Sequence, residues 1–481
     1  MEKFLSVYKE KLNFWLLTAL VVFIPLYPKF PLFSVKGTYV AIRLEDVFIG
    51  VVVGLWFLAN LANLKKYFKQ TIFQTIGLFW LVGLLSLLSA VVLTHSVKLN
   101  IGLLNWFRRV EVMSLFFVAA SSIKSVERVK TILKVMAITT LIIILYGFGQ
   151  QWLSFPVVTT NNSELSKGVV TTLTPGSRVN STFAGQYDLA AYLSLALSIL
   201  VSVIFFYKPL RNRVFVFGTG VLGFALLGLT ESRISFVAAI IGAVTSFWLS
   251  GKRIFIGLVI AASIAGIALI PGLRHRFVAT ITVNILNGGG PKYDVSSANN
   301  VSTNSDWYRV SAASRAAIIA KSLGVASISA SEAAKISVDI APGEPINKTE
   351  QGVYRSFDIR TLVEWPRAIR ALAKNPFLGT GYSSITLATD NDVLRSLGET
   401  GLLGTFSLVL IFVYLLKKFY SFIKGAGGFE KLFIIGLFSS IVTLLVTSLF
   451  IDVLEASKIA EVFWVFLGIG WGLINNFKDA D

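Results

Sequence analysis

The chain has 481 residues, 54% hydrophobic and only 15% charged, well below the roughly 25% charged content of a soluble domain, and this excludes an ordinary soluble enzyme. Formal charge is +18, from 44 basic and 26 acidic residues; in a soluble protein this would favour nucleic acid, but basic residues flanking hydrophobic runs are the signature of membrane spans, and no nucleic-acid partner is expected. Cysteine is absent and the two histidines, His95 and His275, are too few for a histidine-rich metal centre, so disulfides, thiolate sites and such centres are all excluded.

The apolar runs are continuous rather than alternating, which favours helices over barrel strands. About twelve spans of roughly 20 residues are expected, near residues 13–27, 44–61, 72–92, 110–120, 131–153, 183–207, 214–229, 234–249, 254–270, 401–416, 432–450 and 459–474. The first is not followed by a small-residue cleavage pattern and reads as a retained helix. The fourth is the weakest, because Arg108, Arg109 and Glu111 lie at its start.

Alternate connections are basic: Lys65, Lys66 and Lys69, then Lys124, Arg128 and Lys130, then Lys208, Arg211 and Arg213, then Lys252 and Arg253, then Lys417, Lys418 and Lys424. By the positive-inside rule both termini are expected in the cytoplasm. Residues 1–271 then carry spans one to nine, 272–393 form a large extracytoplasmic loop with amphipathic helices, and 394–481 carry the last three spans. Within the loop, NGGGPKYDVSSANNVSTNS is rich in Gly, Ser and Asn, a helix is expected over 307–323 behind Asp306, and APGEPINKTEQG reads as extended linker. No clear internal repeat is visible, which weakens an inverted-repeat transporter reading.

A second loop helix is expected from Asp358 as cap to Lys374, ended by Asn375-Pro376. At about 100° per residue, Arg360, Glu364 and Arg367 share one face, while Leu362, Trp365, Ile369 and Leu372 gather on the other. Such a helix can lie on a bilayer surface and hold an anion, since the guanidinium fork pairs with phosphate; equally, the charges can be a solvated ladder. Gly379-Thr380-Gly381 is weak as a phosphate loop and reads more readily as a turn back to the membrane. In Asp390-Asn391-Asp392 an acidic residue can accept a proton at a cavity mouth, and Asp390 or Asp392 would serve as the N-cap of the next helix; the two readings are compatible.

Ionisable residues near spans are site candidates by default. Asp46 in RLEDVFIG is one, expected to support an arginine rather than react. Arg108, Arg109 and Glu111 form another group. Arg178 precedes the sixth span in SRVNSTFAGQYDLAAYL, with Asp188 just inside it, and Glu231-Ser232-Arg233 make a tight turn between spans seven and eight. Arg178, Arg233, Arg360 and Asp390 all fall on the outer side, which is more than a solvated face requires.

These residues resemble a known family pattern. Ser232-Arg233 after a span, then Arg360, Trp365, Ala368, Asn375-Pro376, Gly379 and Gly381, then Asn391, Leu394, Glu399, Gly401 and Gly404 follow the order of the O-antigen ligase and O-antigen polymerase superfamily, through its ligase-related domain. RLEDVFIG resembles a further pattern near the second span. The resemblance is strongest over residues 230–404. One departure matters: Asp390 stands where the family usually has a histidine, often treated as the catalytic base. A carboxylate can accept a proton, but its ordinary pKa of about 4 makes it a weaker base unless burial raises it.

The resemblance implies an all-α, GT-C-like glycosyltransferase of the plasma (inner) membrane. The donor would be a glycan on a polyprenyl diphosphate; the acceptor would be a hydroxyl of a glycan, lipid or other molecule. Membrane lipid is the surrounding partner, and no metal or other cofactor is expected. Arg233 and Arg360 would neutralise the departing diphosphate, Asp390 would take the acceptor proton, and Arg178 could bind either substrate. Asn391, Arg367, Glu399 and Asp46 complete the candidate binding set. Two alternatives remain open: a polymerase of lipid-linked repeat units, and a transporter of the lipid-linked glycan, against which the outer clustering argues.

Overall fold

The computed structural model describes residues 2–28, 30–34, 41–61, 65, 67, 69–159, 169–173, 177–207, 209–285, 360–385, 389–455 and 457–478. Asp358, the expected helix at 307–323 and the glycine-rich and linker stretches lie outside the described residues.

The fold is all-α apart from two small antiparallel hairpins. Helix α1 (Glu2–Leu26) leads to strands β1 (Pro31–Ser34) and β2 (Ala41–Arg43), then α2 (Leu44–Asn60), α3 (Thr71–Val92), α4 (Leu99–Ser122) and α5 (Val126–Trp152). Strands β3 (Val157–Thr159) and β4 (Val169–Thr171) precede α6 (Gln186–Val203), α7 (Leu210–Leu229), α8 (Arg233–Leu249), α9 (Ile254–Leu269) and α10 (Pro271–Ala279). After a π-helical turn at Arg360–Glu364 come α11 (Trp365–Lys374), α12 (Asp392–Gly425), α13 (Gly428–Ser448) and α14 (Ser457–Lys478).

Every hydrophobic run expected from the sequence overlaps one of these helices. Among the described residues, seven helices are long and apolar enough to cross a membrane: α3, α5, α6, α7, α12, α13 and α14. The number rises to eight if α9 and the segment 271–282, bent by 97°, make one broken span. The bend falls where Pro271 forces Ile270 into an extended conformation. Helix α8 has 17 residues and is shorter than these.

The fourth element differs from expectation. Helix α4 begins at Leu99, not near Val110, so Arg108, Arg109 and Glu111 lie within a continuous helix. Partners distant in sequence compensate two of them. Arg108 Nη2 lies 3.9 Å from Asp46 on α2, and Arg109 pairs with Glu455 before α14. The group is therefore not paired mainly within itself.

Tight turns join α7 to α8, α8 to α9 and α12 to α13, so successive helices run in opposite directions. The starts of α6, α8 and α12 and the ends of α5, α7 and α13 thus share one end of the bundle. Its centre is held by small and hydroxylated side chains, which let helices approach closely in an apolar setting. Ser246 on α8 donates to Ser439 on α13 at 2.8 Å, and Ser198 on α6 shares a 2.9 Å hydrogen bond with Thr443. A Cβ on Gly242 would stand 2.1 Å from the Thr443 hydroxyl, so the glycine is the reason α8 and α13 can touch there. Ser439→Ala is expected to cost only about 0.6 kcal/mol, the mean for such interhelical hydrogen bonds, read as a small change in thermal midpoint in detergent.

Candidate functional site

The arginines come together at one end of the bundle, each held by a different local device. Arg178 lies on an extended segment pinned to α5. There Gln150 Oε1 accepts the Ser181 amide at 2.7 Å, its Nε2 donates to the Ser181 carbonyl at 3.0 Å, and Ser181 Oγ donates to the Ile143 carbonyl at 2.7 Å. Arg233 is the first residue of α8, delivered by a tight turn in which Glu231 has φ +54°. Its Nη1 donates to the Arg276 carbonyl at 3.1 Å and to the Thr280 hydroxyl. Arg360 opens the π-helical turn, a geometry frequent at functional sites.

Tyr187, in the first turn of α6, is the common neighbour. Arg178 lies over its ring, 5.2 Å from the centroid, and donates to its hydroxyl at 3.3 Å. Arg360 and Arg276 are also close enough to act on the phenol electrostatically, and Arg233 feels the charges of Arg276, Arg360 and Arg178. Arg178 thus touches the tyrosine, and Arg233, Arg276 and Arg360 lie within electrostatic range of it. Carboxylates meet this set: Arg276 Nε lies 2.7 Å from Glu231 Oε2, and Arg360 Nη2 lies 2.6 Å from Asp390 Oδ2. Guanidinium groups gathered in this way are suited to hold an anion such as phosphate.

Asp390 is presented by an inversion of the usual cap logic. The Asp452 carboxylate accepts the amides on either side of it, from Thr389 at 3.0 Å and Asn391 at 2.9 Å. Asp390 itself takes φ +50°, a left-handed conformation that Asp tolerates better than most residues. Its carboxylate is thereby directed to Arg360. Neither Asp390 nor Asp392 caps α12. Asn391 does, accepting from the Leu394 amide at 2.9 Å, while its Nδ2 donates to the Leu449 carbonyl at 3.0 Å. Asp392 instead accepts the Val453 and Leu454 amides at 2.9 and 3.0 Å. Asn391 is thus engaged in holding the backbone rather than turned to a ligand.

Burial pushes the Asp390 carboxyl above the usual carboxylate range, and Asp452 adds to this, against the pull of Arg360. Burial, with Asp390 next, lifts Glu364 well above its ordinary value. Glu364 Oε2 is buried without a hydrogen-bond partner among the described residues. The two carboxyls share one arginine at close range, so they titrate as a pair. The direct Arg360 hydrogen bond favours the ionised form of Asp390, against burial and Asp452.

Helix α11 packs on the protein by its charged side. Arg367 is wholly buried, with Ala368 and Ala371, while Ile369 is 54% exposed. The arginine side faces the protein, and part of the apolar face points outward. Arg367 acts on Glu364 rather than on the tyrosine-centred cluster.

Gly379 and Gly381 do not form a phosphate loop. They join a backbone splice into α12, which is broken at Gly401 (φ 67°, ψ −169°). Thr380 and Gly381 donate to the Gly398 and Glu399 carbonyls at 2.9 and 2.8 Å, and Leu402 and Leu403 donate to the Pro376 and Phe377 carbonyls at 2.8 and 3.1 Å. The loop thereby supplies the hydrogen bonds that the helix loses.

Glu399 also departs from its expected setting. It is buried, 3.5 Å from Arg395 Nε, in a network where Arg395 Nη1 meets Asp452 at 3.0 Å and Glu455 pairs with Arg109. This network reaches the arginine cluster through Asp452, which acts on Asp390 and Glu364. Asp46 lies apart again, beside Arg108 on the wall of a cavity of about 930 Å³ between α2, α3 and α4. This cavity is thus not the place where the cations converge.

Sequence reasoning missed Tyr187 and Arg276. Arg276 left a trace in the basic run Arg274-His275-Arg276 after span nine; Tyr187 left none. No model of a known protein family matches the sequence, and comparison with curated proteins finds no match.

Proposed function

We propose that the protein is a membrane glycosyltransferase that moves a glycan from a polyprenyl diphosphate to an acceptor hydroxyl. The observation carrying this reading is the set of four arginines around Tyr187 with Asp390 paired to Arg360. A diphosphate leaving group needs its developing charge neutralised, and preorganised cations in a water-poor site do this most effectively. A carboxylate held on the edge of that cation set can take the proton of an attacking hydroxyl. In this reading the chain crosses the plasma membrane twelve times with both termini cytoplasmic, and the arginine end faces outward, because the basic connections lie at the opposite end. The donor's apolar tail lies among the helices, its diphosphate against Arg233 and Arg360, and Arg178 orients either substrate.

Asp390 sets the pH dependence. Its working form is the carboxylate, so activity is present above its folded pKa and is lost as pH falls through it. Because burial raises that pKa, the acid limb is expected above the ordinary value of about 4. Asp390→Asn is expected to lower kcat by about 10²- to 10⁴-fold and to remove the acid limb from the kcat profile. Asp390→His should retain part of the activity, with a limb nearer the imidazole value of about 6.5. An acid limb that persists in Asp390→Asn would transfer the base role to Glu364.

Purified protein reconstituted with labelled lipid-linked glycan tests the reaction itself. Transfer to a non-prenyl acceptor identifies a ligase, and ladders formed from donor alone identify a polymerase. Movement of donor across the bilayer without a new glycosidic bond would overturn the enzymatic reading.

A further inference from the structure

A second apolar groove runs away from the arginine cluster along the bundle. It has a volume of about 530 Å³ and runs between α6, α7, α8 and α9. Its walls open outward, where Val214, Phe217, Val221 and Leu258 are all more than half exposed. On α8, Arg233 stands at one end and the groove reaches Phe247 near the other, roughly 20 Å away at 1.5 Å per residue. Along α7 it extends from Leu210 to Phe224, roughly 21 Å by the same rise, which is more than half the 30 Å hydrocarbon thickness and about the depth of one leaflet with its headgroup layer.

Charge is confined to one end. There Phe205, Phe247 and Phe255 pack together, with Phe205 and Phe255 4.8 Å apart. Arg213 and Lys252 both sit over the Phe205 ring, 5.8 and 5.6 Å from its centroid. Among the described residues neither has a carboxylate within ion-pair distance. Two like charges sharing one aromatic ring repel each other, and an anion between them relieves that repulsion.

We infer that this groove is a binding site for an anionic diacyl phospholipid of the adjacent leaflet, with one acyl chain along α7 and the phosphate between Arg213 and Lys252. Gly220 gives the groove its room: a Cβ there meets nothing within 4 Å. Gly220→Leu therefore starts its side chain in open space within the groove. The inference does not rest on the glycosyltransferase reading, and none of its residues belongs to that site.

The test is lipid retention by native mass spectrometry after delipidation and add-back of phosphatidylglycerol, phosphatidylcholine or polyprenyl phosphate. The wild type is expected to hold phosphatidylglycerol over phosphatidylcholine by roughly tenfold or more, as two basic groups at a headgroup imply. The Arg213→Ala/Lys252→Ala double variant is expected to lose that preference, and Gly220→Leu to lose the bound lipid while keeping a wild-type elution profile and thermal midpoint. Equal retention of the two phospholipids by the wild type would overturn the proposal. So would undiminished phosphatidylglycerol binding by folded Gly220→Leu, or displacement of phosphatidylglycerol by equimolar polyprenyl phosphate, which would make the groove a donor-tail channel.

Discussion

Arg360→Ala is expected to abolish glycan transfer, lowering kcat by about 10²- to 10³-fold or more, the usual loss when one preorganised stabilising donor is removed. The effect is compound. Arg360 faces the Tyr187 cluster and also donates to Asp390 at 2.6 Å. Its removal takes a cation from the leaving group. It also removes the charge that keeps Asp390 ionised against burial and Asp452. The Asp390 pKa should therefore rise further in the variant, so the acid limb moves to higher pH and raising the pH recovers part of the loss. Arg360→Lys retains a charge but not the two-pronged geometry, and should fall between. The measurement is a pH profile of transfer on reconstituted protein, with elution profile and membrane insertion unchanged. Near-wild-type activity in Arg360→Ala would remove the diphosphate clamp from the mechanism.

Gly401→Ala is expected to be the most damaging single methyl in the described chain. Its backbone (φ 67°, ψ −169°) lies in a region open essentially only to glycine, a strain of about 1–3 kcal/mol for other residues. The new Cβ would also stand 2.4 Å from the carbonyl carbon and oxygen of Phe377. These are backbone atoms and cannot swing away. The splice would have to open, freeing the amides of Leu402 and Leu403 within a helix apolar enough to cross a membrane, so the total loss is expected to be at least about 3 kcal/mol. Gly77→Ala is the control: it is also a helical glycine, but a Cβ there meets nothing within 4 Å. Thermal unfolding in detergent should separate the two clearly, and equal midpoints would contradict the splice.

The helices were legible because continuous apolar runs about 20 residues long permit little else. What misled was charge inside such a run. Arg108 and Arg109 read as a boundary because an uncompensated charge in a span is costly, and compensation by Asp46 and Glu455 depends on packing across more than 300 residues in the second case. The arginine set was partly legible, since Arg178, Arg233 and Arg360 each stand beside a hydrophobic run. Tyr187 was not, because an aromatic in the first turn of a span is ordinary and only the approach of three other segments distinguishes it. Asn391 and Glu399 stand in a pattern that resembles the ligase-related one, yet their hydrogen bonds and ion pairs are spent on the α12 start. Spacing alone cannot separate a residue that meets a ligand from one that holds the backbone beside it. The orientation of α11 was open for a related reason: periodicity identifies two faces, but not which one meets the protein.

That orientation bears on how activity can be assayed. With Arg367 buried and Ile369 outward, the short helix that follows Arg360 is steadied on one side by whatever hydrocarbon bathes it. Solubilisation replaces that medium, so turnover should vary with detergent chain length and be highest in nanodiscs, even where the purified sample is monodisperse.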